Sequence, residues 1–190
     1  MTSSEAYLAE VRRAMVGMSA SIREDILREL RGHISDSSAA NGGDLEMSIA
    51  SLGPAREIGR HYRDVYGYGT GYRVLFAAIA FLLAVPSVPI LVVGAEFLFP
   101  FSLSLVFVLG AAMWILWVSV NAGSRAGILA GVAGLSGRLI AFAAVAASTP
   151  ATITDAGGVG LLFAVAVLFV VLGAIPGTAK RAWSGPRAEL

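Results

Sequence analysis

The sequence predicts an all-α protein: a small cytoplasmic helical domain of three to four short helices, followed by a four-helix transmembrane bundle. The 190 residues are 56% hydrophobic and 14% charged, whereas a soluble domain averages about 25% charged. Residues 1–73 carry 19 of the 27 charged side chains, and residues 74–179 carry four. Four charges cannot give so long a segment a polar surface, so we expect it in a bilayer. The composition excludes a disordered chain, and the lack of cysteine excludes a disulfide scaffold.

Apolar residues at spacings of three and four predict the helices of the first 66 residues. The predicted helices are at about 4–18, 21–38, 44–52 and 54–66. The residues expected in their common core are Tyr7, Leu8, Val11, Met15, Met18, Ile22, Ile26, Leu27, Leu30, Ile34, Leu45, Ile49, Leu52, Ile58, Tyr62 and Val65.

Local signals predict where these helices begin and end. Ser21 and Glu24 have the spacing of a capping box, and Asp44 is the predicted N-cap of the third helix. Gly53 should end that helix, and Pro54 should occupy the first position of the next.

Four apolar segments are long enough to cross a bilayer, since about 20 residues suffice. A Gly-rich stretch at 67–73 is predicted to be a flexible linker to them, and residues 179–190 are predicted to form a cytoplasmic tail. The predicted spans are about 74–94, 100–120, 127–148 and 158–178.

The charges between the spans predict their orientation. Glu96 lies in the first predicted loop, Arg125 in the second and Asp155 in the third, while the tail holds Lys180, Arg181 and Arg187. Basic residues favour the cytoplasmic side. We therefore predict a multi-pass protein of the inner (plasma) membrane with both termini in the cytoplasm.

Two prolines, Pro86 and Pro89, predict a kink in the first span, because each removes a backbone donor. The kink is either a hinge that moves on sensing or a static bend tolerated in lipid. The sequence leaves both interpretations open.

Arg138 lies near the middle of the third span, where a charge costs at least about 2.5–3.5 kcal/mol on insertion scales. It shares a helix face with Gly127, Gly131 and Gly134, so we expect it to point into the bundle. It is either a switch or a site for an anion or lipid headgroup, or a structural residue bonded to carbonyls and Ser136. A span that began about ten residues later would instead place it at the inner surface.

Catalytic and cofactor motifs are not found in the sequence. His33, Asp36 and His61 are too few for a convincing metal site, and no nucleophile elbow or phosphate-binding glycine loop occurs. We expect no enzymatic activity, cofactor or metal. An enzyme acting on lipids would need paired carboxylates or a nucleophile–base pair within the spans.

A basic cluster precedes the first span. It comprises Arg56, Arg60, Arg63 and Arg73, and we expect these residues to contact anionic lipid headgroups, at about 1 kcal/mol each. Direct nucleic-acid binding is not expected, because no recognition helix or interleaved aromatic residues are apparent.

Three ordered motifs carry a family resemblance. They are Tyr7-Leu8, then Ile26-Leu27-x-Glu29-Leu30-x-x-His33-Ile34, then Ile49-Ala50-Ser51-Leu52-Gly53-Pro54-Ala55-Arg56-Glu57-Ile58. Together they resemble the HAAS domain, the helix-turn-helix-associated α-helical signalling domain, over about 60 residues. This sequence departs from the family in lacking a residue between Gly53 and Pro54, and in having Gly59 where alanine is common.

The resemblance implies a role in signal transduction, in which the domain binds a PadR-type winged-helix transcriptional regulator and couples it to the membrane. The candidate contact residues are Arg23, Arg28, Arg31, His33, Leu52, Gly53 and Pro54. The alternative is a small transport or accessory subunit that uses the domain as an assembly handle. Other expected partners are membrane lipids and, in either case, further copies of the chain.

Overall fold

The computed structural model describes residues 3–88, 101–148 and 156–183, and within these ranges it contains helices and no strand. The all-α prediction is therefore confirmed. The helices are α1 (Ser3–Ala14), α2 (Ala20–Ala40), α3 (Leu45–Leu52), α4 (Ala55–Tyr66), α5 (Thr70–Ala84), α6 (Phe101–Ala122), α7 (Ser124–Ser148) and α8 (Ala156–Trp183), with a 3₁₀ turn at Val85–Ser87. They form two compact units, residues 1–72 and residues 73–190.

The first unit buries the apolar faces of α1 and α2, with α3 and α4 packed against them. Fifteen of the sixteen predicted core residues belong to this cluster, fully or partly buried. The exception is Val65, whose side chain is 64% exposed. It lies one turn beyond Tyr62, past the point at which α4 meets the rest of the core, so the prediction for Val65 is wrong.

Helices α1 and α4 lie parallel and very close together. The Tyr7 hydroxyl donates to the carbonyl of Gly53 at 3.0 Å, just before α4 begins. Farther along, a Cβ on Gly59 would lie 2.5 Å from the Cβ of Ala14 and 2.7 Å from the carbonyl oxygen of Val11. Only glycine fits this crossing, which explains why alanine is absent from that position here.

The helix ends agree with the sequence signals in part. Asp44 caps α3 as predicted, accepting from the backbone N–H of Met47 at 2.9 Å. The predicted capping box of α2 is wrong, because the N-cap is Ser19, whose hydroxyl lies 3.1 Å from that of Ser21. Pro54 is the N-cap of α4 rather than its first residue.

The connection between α4 and α5 is shorter than the predicted linker. Thr70 already begins α5, which leaves residues 67–69. The Gly69 N–H donates to the carbonyl of Gly17 at 2.8 Å, and the Tyr68 ring fills the space where Gly17 lacks a side chain. Gly17 has a φ of +97°, a conformation that favours glycine. These contacts hold the segment against the α1–α2 turn, so the flexible linker expected at 67–73 is not observed.

The second unit is built on an antiparallel hairpin of α6 and α7, joined at Gly123 (φ +87°), with α8 packed on both helices. Glycines allow α7 and α8 to touch through their backbones. A Cβ on Gly127 would collide with the carbonyl oxygen of Gly173, and one on Gly131 would lie 2.5 Å from that of Phe169. The predicted small-residue face of α7 is thus a helix–helix interface.

Three helical segments are long and apolar enough to cross a membrane: Thr70–Ser87, Leu103–Ala122 and Ser124–Ala147. The apolar stretch of α8 described in side-chain detail, Val159–Ile175, is shorter. Three to four apolar helices could therefore span a bilayer.

Several bounds differ from the predicted spans. The regular helix of the first span ends at Ala84, and Pro86 lies in the 3₁₀ turn that follows. Helix α7 begins three residues before the predicted 127, and α8 continues to Trp183. Pro89, Glu96, Asp155 and Arg187 lie outside the described residues.

Candidate functional site

A groove of about 380 Å³ lies between α1 and α2 in the first unit. It is lined by Glu5, Leu8, Ala9, Arg12, Glu24, Leu27, Arg28 and Arg31. A second groove of about 260 Å³, which reaches Leu45 of α3, shares Leu8 and Arg31 with the first. Arg31 is therefore central to the grooved surface, which has an apolar floor and a charged rim.

Most of the charged side chains around this groove belong to ion pairs. Arg12 Nη2 lies 2.6 Å from Glu24 Oε1, and Arg28 Nη1 lies 3.2 Å from Asp25 Oδ1. Arg31 is exposed and has no ion pair within the described residues. Exposed ion pairs contribute little to stability, so a carboxylate of a binding partner could replace Glu24 or Asp25 in these pairs at a small cost in free energy.

Arg23 and His33 do not join Arg28 and Arg31. Arg23 is mostly buried, and its Nε atom has no hydrogen-bond partner in the described structure. His33 is exposed, but it lies about 140° and 160° around α2 from Arg28 and Arg31, on the opposite flank. The four predicted contact residues therefore do not form one surface.

The junction of Leu52, Gly53 and Pro54 is separate from the groove. Tyr7, whose hydroxyl donates to the Gly53 carbonyl, lies about 160° around α1 from Glu5, which lines the groove. Leu52 packs on the core, and Pro54 is exposed. The position of this junction fits a role in attaching α4 to α1.

The four predicted lipid-contacting arginines have different surroundings. Arg56 Nε lies 2.8 Å from Glu10 Oε1. Arg63 donates to the carbonyl of Ala14 at 3.4 Å and lies over the ring of Tyr68. Arg60 is exposed on α4 without an ion pair among the described residues, and Arg73 is half-buried in the first turn of α5.

Two partly buried tyrosines have a raised pKa. Burial, with a smaller effect of Tyr62, raises the pKa of Tyr7 above its usual value of 10.0. The pKa of Tyr62 is raised by burial, then by Glu29 and Tyr66. Both groups are neutral at physiological pH and belong to the packing of α1 and α4. Within the described residues, no three potential ligands approach closely enough to hold a metal ion.

Arg138 of α7 is buried in the second unit, with 4% of its surface exposed. Its Nη1 donates to the backbone oxygen of Ser87 at 3.1 Å and to the Ser87 hydroxyl at 2.6 Å. That hydroxyl donates in turn to the carbonyl of Ala84. The guanidinium also lies 5.9 Å from the centre of the Phe169 ring.

This arrangement puts a positive charge at the C-terminal end of the first apolar helix. Such an end carries unpaired carbonyls and a partial negative charge. No carboxylate pairs with Arg138 within the described ranges, and its Nε lacks a hydrogen-bond partner there. Ser136, the predicted partner, instead bonds to the carbonyl of Val132 at 2.9 Å. Sequence reasoning missed Ser87, although a residue next to the helix-breaking Pro86 is where unpaired carbonyls should occur.

The fold and these sites together define an all-α chain with a compact helical domain and apolar helices able to cross a membrane. A family model described as HAAS matches residues 6–60, so this part of the chain is a HAAS domain, as the three motifs predicted. The match extends from α1 into α4 and includes every residue that lines the larger groove except Glu5. No curated protein and no solved structure matches the chain. A HAAS domain is consistent with a regulatory role that involves a partner.

Proposed function

We propose that this chain is an integral membrane regulatory protein whose HAAS domain binds a PadR-type winged-helix transcriptional regulator and couples it to the membrane. The observation that carries the proposal is the HAAS match at residues 6–60, on helices α1 to α4, which three residues join to an apolar segment long enough to cross a bilayer. HAAS domains are known to associate with PadR-like regulators.

The groove between α1 and α2 is the best candidate for the contact. Leu8 and Leu27 supply an apolar floor, and Arg28 and Arg31 supply exposed guanidinium groups beside it. Arginine next to a desolvated apolar pocket is typical of the residues that dominate binding energy. An acidic residue of the regulator would pair with Arg31.

The proposal requires the domain to lie in the cytoplasm, which the distribution of basic residues favours. The chain has no cysteine, so a single exposed cysteine at Ala39 can report its side. An impermeant maleimide should label Ala39→Cys in inside-out vesicles and leave it unlabelled in sealed right-side-out vesicles. The reverse pattern would exclude a cytoplasmic regulator as partner.

Affinity capture from native membranes tests the proposed partner. The full chain is compared with a chain that lacks residues 1–69 and keeps α5 entire. Recovery of a small winged-helix protein with the full chain only would support the proposal. Recovery of the same transporter subunits by both baits, without a DNA-binding protein, would contradict it.

A second candidate function is that of a small transport or accessory subunit. The observation that favours it is the buried polar contact of Arg138 and Ser87 among the apolar helices. Ion flux through liposomes that hold the wild-type chain, lost in Arg138→Leu, would support this function. Under either proposal we expect the chain to bring no catalytic activity of its own.

A further inference from the structure

Four of the five large apolar or tyrosine side chains that are exposed in the described part of the first unit lie near one end, and Met47 of α3 is the exception. Helices α1 and α4 are parallel, so both C-terminal ends lie together, where the chain leaves for α5. At this end Val16 is 53% exposed, Val65 64% and Tyr66 51%. We call these residues, with the partly exposed Tyr72, the base surface.

The base surface continues the stripe by which α4 packs on the core. Ile58 and Tyr62 cover that core, and Val65 and Tyr66 follow on the same side one turn later, beyond its edge. The Tyr62 and Tyr66 rings are stacked, with centres 6.4 Å apart. The apolar stripe of α4 is thus longer than the core surface against which it packs.

The connection to α5 holds the parts of the base surface together. Gly69 is hydrogen-bonded to Gly17, the residue after Val16. Tyr68 lies against Gly17, and its ring centre is 6.0 Å from that of Tyr72. Val16 and Tyr72 therefore lie on either side of one fixed contact.

Basic residues border this surface. Arg13, in the last turn of α1, is exposed without an ion pair among the described residues, and Arg63 lies over Tyr68. Asp64 is an acidic neighbour on α4. Apolar and tyrosine side chains beside arginines are the composition that binds a membrane interface.

We propose that the base surface docks into the headgroup region of a bilayer that contains anionic phospholipid. Tyr72 already lies in α5, a helix able to enter that bilayer, so the surface lies within reach of lipid at no cost in linker entropy. A second copy of the chain is a poorer occupant, because a stable dimer buries about 1,200–2,000 Å² in total and four side chains provide much less.

Depth-dependent quenching tests this proposal on the full chain in nanodiscs. Because the chain has no cysteine, single cysteines at Val16 and Val65 can each carry an environment-sensitive fluorophore. Met47→Cys is the matched control, since Met47 is an apolar residue of α3 with 58% exposure. Phospholipids spin-labelled near the headgroup serve as quenchers.

We expect quenching at residues 16 and 65 to be at least about twofold stronger than at residue 47. Quenching at residues 16 and 65 should weaken when anionic lipid is omitted or when Arg13 is changed to Glu. Equal quenching at the three sites would overturn the proposal. So would shielding of residues 16 and 65 that requires two chains in one disc and shows no lipid quenching, because it would identify a second copy as the occupant.

Discussion

Arg138 of α7 and Ser87, just after α5, join two apolar helices through a buried guanidinium that donates to both the backbone oxygen and the hydroxyl of the serine. The regular part of α5 has 15 residues and is therefore about 22 Å long, so the candidate span Thr70–Ser87 is completed by the 3₁₀ turn that follows Ala84. A helix that ends so early leaves carbonyls without partners in an apolar setting. Arg138 donates a hydrogen bond to the carbonyl of Ser87, and the Ser87 hydroxyl donates one to the carbonyl of Ala84.

We predict that Arg138→Met destabilises the helical bundle by about 1–3 kcal/mol, because the Ser87 carbonyl loses its donor. Ser87→Ala should cost about 1 kcal/mol, since the backbone contact remains. Thermal unfolding in one detergent would measure both changes. Arg125→Met is the matched control, because Arg125 is exposed on the same helix, and it should change stability by less than about 0.5 kcal/mol.

The double variant tests whether the two residues act together. If the contact is as described, Arg138→Met with Ser87→Ala should cost less than the sum of the single changes. Additive losses, or an Arg138→Met chain as stable as the Arg125→Met control, would contradict a direct role for the contact.

Glycines that fit against a neighbouring helix should tolerate no side chain. Gly131→Ala would place a Cβ 2.5 Å from the carbonyl oxygen of Phe169, so α7 and α8 must separate, at about 1–3 kcal/mol. Gly110→Ala and Gly160→Ala are the controls, because no atom lies within 4 Å of an added Cβ. Thermal midpoints should fall for Gly131→Ala alone, and an equal fall in the controls would refute the close packing.

The raised pKa of Tyr7 predicts how the stability of the first unit depends on pH. This pKa is raised above 10.0 in the folded state, so the stability that Tyr7 contributes is complete below about pH 10 and is lost as the pH rises through the folded value. Tyr7→Phe should cost about 1 kcal/mol at neutral pH, from the lost hydrogen bond to Gly53, and should reduce the alkaline loss. Chemical unfolding at pH 7 and pH 10.5 measures both effects. Tyr66→Phe is the control at pH 7, where it should leave the stability unchanged because Tyr66 is exposed.

The sequence predicted most of the fold because helix periodicity and charge distribution are local properties. The core stripes of α1 and α2 and the Asp44 cap follow from spacing alone. The exposure of Val65 could not be predicted, because periodicity gives the face of a helix and says nothing of how far the neighbouring helix extends. The fixed connection at residues 67–69 depends on Gly17, which is distant in sequence.

The candidate sites were less predictable than the fold. Arg138 was identified from its cost in lipid, but its partner lies 51 residues away, on another helix. The grooved surface retained Arg28 and Arg31, while helix geometry and the packing of Tyr7 separated Arg23, His33 and the Gly53 junction from them. Such groupings depend on tertiary contacts that composition does not encode.

Reversed charges in the groove provide a test of its role. We predict that Arg28→Glu with Arg31→Glu weakens binding of the regulator at least about tenfold, because both cations that face the partner become anions. Arg60→Glu is the matched control, since it reverses an exposed arginine on another helix. Thermal unfolding and circular dichroism would show whether the first unit remains folded in each variant.

The most direct test of the central claim is an equilibrium titration of the full chain in nanodiscs with the purified winged-helix regulator that capture identifies. The account predicts saturable binding by the wild-type chain and the Arg60→Glu control, and the loss described above in the groove variant. A folded wild-type chain that fails to bind the regulator would contradict the proposed function. Equal affinity of all three chains would leave the function standing and refute the assignment of the groove.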